Sequence, residues 1–98
     1  MKPKPQSEKE ITASIRTLLK AFGIFHYKNW QGLGSQKGVS DIIGIHKRKF
    51  FAIEVKTEKG KLNLHQEVFL GLVNKNGGIA IVARSVDDVF EGLGIGNN

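Results

Sequence analysis

The chain contains no cysteine and no long apolar run, and these absences exclude several classes of protein. Without cysteine there are no disulfide bonds and no thiolate zinc sites. No apolar segment approaches the length that spans a membrane, and no signal-peptide pattern precedes the first predicted helix. We therefore expect a cytosolic protein with no membrane association.

Proline is also scarce, and both prolines lie in residues 1–6 beside two lysines. We expect this segment to be a flexible basic arm, followed by one domain over residues 7–98. A chain of 98 residues with 40% hydrophobic side chains has a modest core, which an oligomer would supplement. The net charge of +6 favours a polyanionic partner, nucleic acid above all, although small basic proteins also use such charge only for solubility.

Periodicity and turn residues predict the element order α-β-β-β-α-β-α. Ser7 and Glu10 form a capping-box pattern at the start of the first helix, and Gly23 ends that helix. Two β-rich runs around a polar turn at 47–49 predict a hairpin. The predicted strands are 24–30, 39–46, 50–57 and 79–84, the second helix is 63–75, and Ser85 with Asp88 caps a short last helix.

Three charged residues stand at the edges of the predicted hairpin strands. Glu54 and Lys56 are two residues apart and share a face, and Asp41 on the preceding strand is placed to approach Glu54. Two carboxylates and an ammonium group are the minimum set for metal-assisted hydrolysis of a phosphodiester, with Mg²⁺ or Mn²⁺ as the ion that suits oxygen ligands. The simpler alternative is an exposed Glu–Lys pair at a strand end.

Two helical residues are further candidates. Glu8 extends the apolar stripe of Ile11 on the first helix and so points toward the hairpin, whereas Glu10 points the other way. Gln66 shares a face with the apolar residues of the second helix. Asn63 and Gln66 also form a capping-box variant, so a purely structural role for Gln66 stays open.

Together these motifs resemble the PD-(D/E)XK nuclease superfamily. They are Gly-Val-Ser-Asp at 38–41, Ile-Glu-Val-Lys at 53–56, a leading helix with glutamate and a following helix with glutamine. The Ser-Glu-Lys-Glu-Ile start, the Gln-x-x-Phe helix and the strand at 77–84 are most similar to the VRR-NUC family, over about residues 7–84. The resemblance implies a restriction-endonuclease-like α/β fold, an α-β-β-β-α-β core whose mixed central sheet is flanked by helices. Ser40 replaces the family's usual proline before the aspartate.

The resemblance also implies site roles. The implied catalytic residues are Glu8, Asp41, Glu54, Lys56 and Gln66. Asp41, Glu54 and the backbone carbonyl of Val55 would hold Mg²⁺, which Mn²⁺ can replace, and Glu8 would bind directly or through water. Lys56 would orient the attacking water, and Gln66 would support the site or contact phosphate. Glu10 is the reserve candidate for the helix acid.

The implied function is a metal-dependent, structure-specific DNA endonuclease. The expected form is a homodimeric Holliday junction resolvase in DNA repair or recombination, in a bacterial or phage-infected cell. The alternatives are a nickase or flap nuclease and a non-catalytic DNA-binding module. Lys37 is the expected phosphate contact, with Gly38 and Ser40 beside it. The candidate dimer surfaces are the apolar face of 24–30 and the glycine-rich C-terminal segment.

Overall fold

The computed structural model describes residues 4–30 and 36–96, and its elements follow the predicted order. The elements are α1 (Glu8–Ala21), β1 (His26–Lys28), β2 (Ile42–His46), β3 (Lys49–Val55), α2 (Leu64–Lys75), β4 (Ile79–Ala83) and α3 (Val86–Leu93). Residues 1–3 of the predicted arm and 31–35 of the predicted loop lie outside the described residues. Within the two described ranges, no helix has the length and apolar character needed to cross a membrane.

The four strands form one mixed sheet in the order β1-β2-β3-β4. β1 pairs antiparallel with β2, and β2 pairs antiparallel with β3. β3 and β4 are parallel, and α2 supplies the crossover that a parallel pair requires. The predicted α/β fold with a mixed central sheet flanked by helices is confirmed.

Each face of the sheet has its own apolar core. α1 and α3 cover one face, and their side chains pack on alternate residues of β2, β3 and β4, including Ile42, Phe51, Ile53 and Ile81. α2 covers part of the opposite face, where Leu70 and Val73 pack against Ile43 and Ala52. The alternation of strand residues between two cores explains the apolar runs in the sequence, because both faces of β3 are buried.

Sequence patterns predicted the caps of α1 and α2 correctly and the cap of α3 only in part. Both capping boxes are present, with Ser7 and Glu10 at α1 and Asn63 and Gln66 at α2 exchanging backbone and side-chain hydrogen bonds. At α3 Ser85 is the N-cap residue, as predicted, but its side chain makes no capping bond. The Asp88 carboxylate instead accepts from the backbone N–H of Arg84 at 2.8 Å.

Strand ends differ from the predicted limits. β1 covers only three residues of the predicted 24–30, and β2 begins three residues later than predicted, at Ile42. Lys47 and Arg48 alone form the hairpin turn, and both have positive φ, as a two-residue turn of this hand requires. Lys49 therefore belongs to β3, where it pairs with His46.

Candidate active site

The two predicted acids meet at one end of the β2–β3 hairpin. Asp41 immediately precedes β2, and Glu54 is the penultimate residue of β3. Because the strands are antiparallel, with Ile42 opposite Ile53, the start of β2 lies beside the end of β3. The Oδ2 atom of Asp41 accepts a hydrogen bond of 2.7 Å from the backbone N–H of Val55. This bond holds the Asp41 carboxylate against the strand that carries Glu54.

Glu54 is a buried acid, with only 3% of its surface exposed. Burial is the largest of the causes that raise the pKa of Glu54 from 4.5 to about 8, and the hydrogen bond and negative charge of Asp41 act in the same direction. The positive charge of Lys56 opposes this rise in pKa, and the negative charge of Glu8 adds to it. Near neutral pH Glu54 therefore tends to keep its proton, in a position where a cation would replace it.

Gln66 combines the two roles that the sequence left open. Its Oε1 atom accepts from the backbone N–H of Asn63 at 3.0 Å, which completes the cap of α2. Its Nε2 atom donates to Oε2 of Glu54 at 3.2 Å. One amide side chain thus anchors the start of α2 and fixes the orientation of the buried carboxyl group.

Lys56 follows β3 directly, and the sheet still holds its backbone. Its N–H donates to the carbonyl of Ala83 at 3.0 Å, so the pairing of β3 with β4 continues past Val55. Because the charge of Lys56 lowers the pKa of Glu54, the ammonium group lies within electrostatic reach of the acid pair. Lys56 therefore lies at the same end of the sheet as Asp41 and Glu54.

Of the two acids in the first turn of α1, Glu8 lies near the site and Glu10 does not. The Glu10 carboxylate accepts a hydrogen bond of 3.1 Å from the backbone N–H of Ser7, so it is committed to the cap. Glu8 is exposed and lines a groove that also contains Asp41. In the described part of the chain, no three His, Cys, Asp or Glu side chains are close enough to share a metal ion. Glu8 thus lies near the two acids without forming a close cluster of three with them.

The loop before Asp41 contributes to a cleft of about 280 Å³. Its lining residues are Lys37, Gly38, Val39, Asp41, Glu54, Asn63, His65 and Gln66. Gly38 has φ +85°, and a Cβ there would overlap the backbone carbonyl of His65, so only glycine lets this loop contact the start of α2. Lys37 is exposed at the cleft, where the sequence predicted a phosphate contact.

Ser40 corrects one sequence prediction. Its side chain is fully buried, at 0% exposure, and among the described residues its hydroxyl has no hydrogen-bond partner. A hydroxyl in that position cannot meet DNA at the surface, so the predicted DNA contact of Ser40 is wrong. The residue packs inside, directly before the exposed end of the hairpin.

Comparisons with known proteins show the family of this chain. The model of the VRR-NUC domain matches residues 5–87, which include every element from α1 to β4. The chain belongs to the VRR-NUC family. A solved VRR_NUC domain protein superposes with a TM-score of 0.75 at 20% sequence identity, over 90% of this chain and 85% of that one. A comparison with curated protein sequences found no match.

Membership in the VRR-NUC family sets the coarse function. VRR-NUC domains form a nuclease family, so this chain has a nuclease-type domain and nucleic acid is the substrate class to which the domain points. The acid pair at the hairpin end, with Lys56 beside it, lies within the matched residues.

Sequence reasoning missed two features of this VRR-NUC domain. The first is His65, which lies next to Gln66 at the start of α2 and lines the cleft. Nothing in the sequence indicated this position, because His65 has no metal-ligand spacing to another residue. Arg84 donates from Nη1 to the carbonyls of Thr57 and Gly60, both at 2.6 Å, and so holds the turn that follows Lys56. A lone arginine at the end of a predicted strand gives no sequence signal for a contact with a turn more than twenty residues earlier.

Proposed function

We propose that this VRR-NUC protein is a Mg²⁺-dependent endonuclease that hydrolyses phosphodiester bonds in DNA. The observation that carries the proposal is the meeting of Asp41 and Glu54 at the hairpin end, within reach of Lys56. A buried acid whose pKa is raised, beside a second acid in an otherwise basic chain, is the electrostatic arrangement expected of a cation site.

The donor set fits a hard divalent ion. Asp41 and Glu54 offer carboxylate oxygens, and the Val55 carbonyl points to the same strand edge as its N–H, which faces Asp41. Oxygen ligands of this kind suit Mg²⁺, and Mn²⁺ is expected to replace it. Glu8, which lines a groove together with Asp41, would bind the ion directly or through a bridging water. A bound ion would neutralise phosphate charge and increase the acidity of a water molecule.

The chain's own residues then have distinct tasks. Lys56 orients the attacking water and stabilises the negative charge that develops on the phosphate oxygens. Gln66 holds the Glu54 carboxyl through its amide N–H, and the Val55 N–H holds Asp41, so neither acid must reorganise during the reaction. Lys37 contacts a phosphate from the rim of the cleft.

The favoured substrate is a four-way DNA junction, cut by a homodimer in DNA repair or recombination in the cytoplasm of a bacterial or phage-infected cell. A small domain with a single site cuts one strand at a time, whereas a two-fold symmetric pair presents two sites to two opposed strands. The alternatives are a nickase or a flap nuclease with the same chemistry, and a module that binds DNA without cutting it.

The sheet face that α2 covers only in part offers a surface for the dimer. α2 packs on β3 and β4, and four large apolar side chains beyond it are exposed on one face of the sheet: Phe25, Tyr27, Ile45 and Phe50. We call these four residues the apolar strip. The C-terminal candidate is weaker, because Ile95 is buried in the core against α1 and α3. Phe50 lies four residues from Glu54 along β3, about 13 Å, so a dimer through the strip leaves the cleft open.

Cleavage assays separate these readings. Purified protein is incubated with a fixed four-way junction, a flap and a linear duplex of equal length, each with Mg²⁺ and with a chelator. The proposal expects metal-dependent, symmetric cuts in the junction and loss of cutting in Glu54→Gln, with the exposed Glu67→Gln as the matched control. Equal cutting of all three substrates would contradict the proposed junction resolvase. Binding without any cutting would indicate a non-catalytic DNA-binding module.

Light scattering tests the dimer surface. Ile45→Lys in the apolar strip should convert a dimer to a monomer, because an ammonium group would be buried without a partner. Leu64→Lys, on an exposed apolar residue of α2 outside the strip, is the matched control. A wild-type monomer, or a dimer that survives Ile45→Lys, rules out this surface.

A further inference from the structure

A second groove adjoins the acid pair on the opposite side from the cleft. It has a volume of about 410 Å³ and lies between α1 and the segment that continues β1. The groove is lined by Glu8, Thr12 and Arg16 from one face of α1. Lys28 at the end of β1, Trp30 and Asp41 form other parts of its lining. Asp41 lines both the cleft and the groove, so the two meet at this residue.

Trp30 gives the groove an exposed aromatic surface. It is the only tryptophan in the chain and is 74% exposed, so it contributes little to the core. The ammonium group of Lys28 lies 4.0 Å from the centre of its ring. Tyr27, which directly precedes Lys28, points to the other face of the sheet, in register with Ile43. An indole beside a cation is a pairing that binds a nucleotide, with the ring for a base and the cation for a phosphate.

Arg16 adds a cation whose Nε atom has no hydrogen-bond partner in the described part of the chain. Its side chain is half-buried in the groove, and its Nε atom is inaccessible to water without a hydrogen-bond partner among residues 4–30 and 36–96. A buried guanidinium N–H with no acceptor is costly, and a phosphate oxygen is the acceptor that the planar guanidinium matches best. Arg16, Lys28 and Lys9 make the groove basic apart from Glu8 and Asp41 at its catalytic end.

We propose that this groove binds one unpaired nucleotide next to the phosphate that is cut, with the base stacked on Trp30 and a phosphate held by Arg16 and Lys28. The inference rests on the proposed nuclease function and specifies its substrate. In continuous duplex DNA both faces of each base are covered by neighbouring bases, so an indole has no face to contact. The groove therefore selects DNA with an unstacked nucleotide at the cut, as at a branch point, a flap or a frayed end.

The sole tryptophan makes the proposal directly measurable. Fluorescence of the full chain is recorded without divalent metal, so that no cleavage occurs, while a short single-stranded oligonucleotide is added. We expect its base to quench Trp30, and we expect a duplex closed by loops at both ends to quench far less at equal occupancy. Occupancy is measured independently by anisotropy of a dye on the DNA.

Two pairs of matched variants test the groove. The first compares loss of the aromatic ring with its retention, and the second compares the same loss of charge inside and outside the groove. Trp30→Leu should weaken binding of the single strand roughly tenfold, whereas Trp30→Phe, which keeps a ring, should lose much less. Arg16→Gln should weaken it by a similar factor, and Lys20→Gln, the same charge change one turn further along α1, by less than about twofold. Circular dichroism establishes that each variant is folded.

The outcomes distinguish this inference from the nuclease proposal. Equal quenching by closed duplex, or wild-type binding by Trp30→Leu, overturns the groove even if Mg²⁺-dependent cleavage is intact. Quenching of wild-type Trp30 that is specific for unpaired DNA supports the groove, provided that anisotropy shows weakened binding by Trp30→Leu and largely retained binding by Trp30→Phe. That support holds even if no metal condition yields cleavage, a result that would overturn the nuclease proposal alone.

Discussion

The carboxylate of Asp41 accepts a hydrogen bond of 2.7 Å from the backbone N–H of Val55, the residue directly after Glu54. The bond joins two strands at the point where regular pairing of β2 and β3 has ended, since the ladder closes at Ile42 and Ile53. A side chain thus replaces a backbone partner at the end of the hairpin. The same contact places one acid beside the other, so the site is a continuation of the sheet.

Loss of any central site residue should remove cleavage while leaving the fold. Asp41→Asn, Glu54→Gln and Lys56→Ala are each expected to lower the cleavage rate at least about a hundredfold, because each removes charge that stabilises the transition state. Single-turnover assays give the rate, and DNA binding in the absence of metal gives the control. A Glu54→Gln protein that cuts near the wild-type rate would contradict the mechanism.

The two acids of the first helical turn should differ in their effects. Glu8→Gln should lower cleavage because Glu8 shares a groove with Asp41, whereas Glu10→Gln should leave cleavage almost unchanged. Glu10→Gln should cost at most about 0.5 kcal/mol of stability, since glutamine also completes a capping box. Cleavage rates and urea unfolding measure both effects, and a larger loss of activity in Glu10→Gln would reverse the assignment.

Without metal, the free energy of unfolding should fall as the pH rises from about 4.5 to about 8. Below this range the Glu54 carboxyl is protonated in both folded and unfolded chains. Within it the unfolded chain releases a proton that the folded chain keeps, because the pKa of Glu54 is raised in the folded state, so rising pH favours unfolding. Above it this loss is complete.

Urea unfolding at several pH values in chelator measures the effect, with Glu54→Gln as the reference. The variant is expected to gain stability relative to the wild type as the pH rises, because glutamine does not ionise. Parallel pH profiles for the two proteins would show that burial of Glu54 has no such consequence.

Arg84 should position Lys56 without taking part in the chemistry. Arg84→Lys is expected to lower cleavage roughly tenfold, because a single ammonium cannot reproduce the guanidinium contacts with the carbonyls of Thr57 and Gly60, and the turn after Lys56 would shift. The predicted stability loss is about 1 kcal/mol. Arg48→Lys, at the hairpin turn on the opposite end of β3, is the matched control. Equal cleavage rates for Arg84→Lys and Arg48→Lys would show that Arg84 does not position Lys56.

Features set by neighbouring residues were predictable from the sequence. The capping boxes at Ser7 and Asn63 formed as predicted, because their hydrogen bonds join residues only three apart. The hairpin, the order of elements and the approach of Asp41 to Glu54 follow from alternation and a short turn, which fix the register of two strands. The convergence of the predicted acids therefore needed little tertiary information.

Tertiary packing alone decided which of these residues are buried and what they contact. Ser40, expected beside a DNA contact, is interior, while Trp30, at the end of the predicted strand 24–30, is exposed. The Arg84 contact with the turn at Thr57 and the groove between α1 and Lys28 join residues that are distant in sequence. Their positions depend on how α1, α2 and the sheet stack, and periodicity within a single element does not encode that packing.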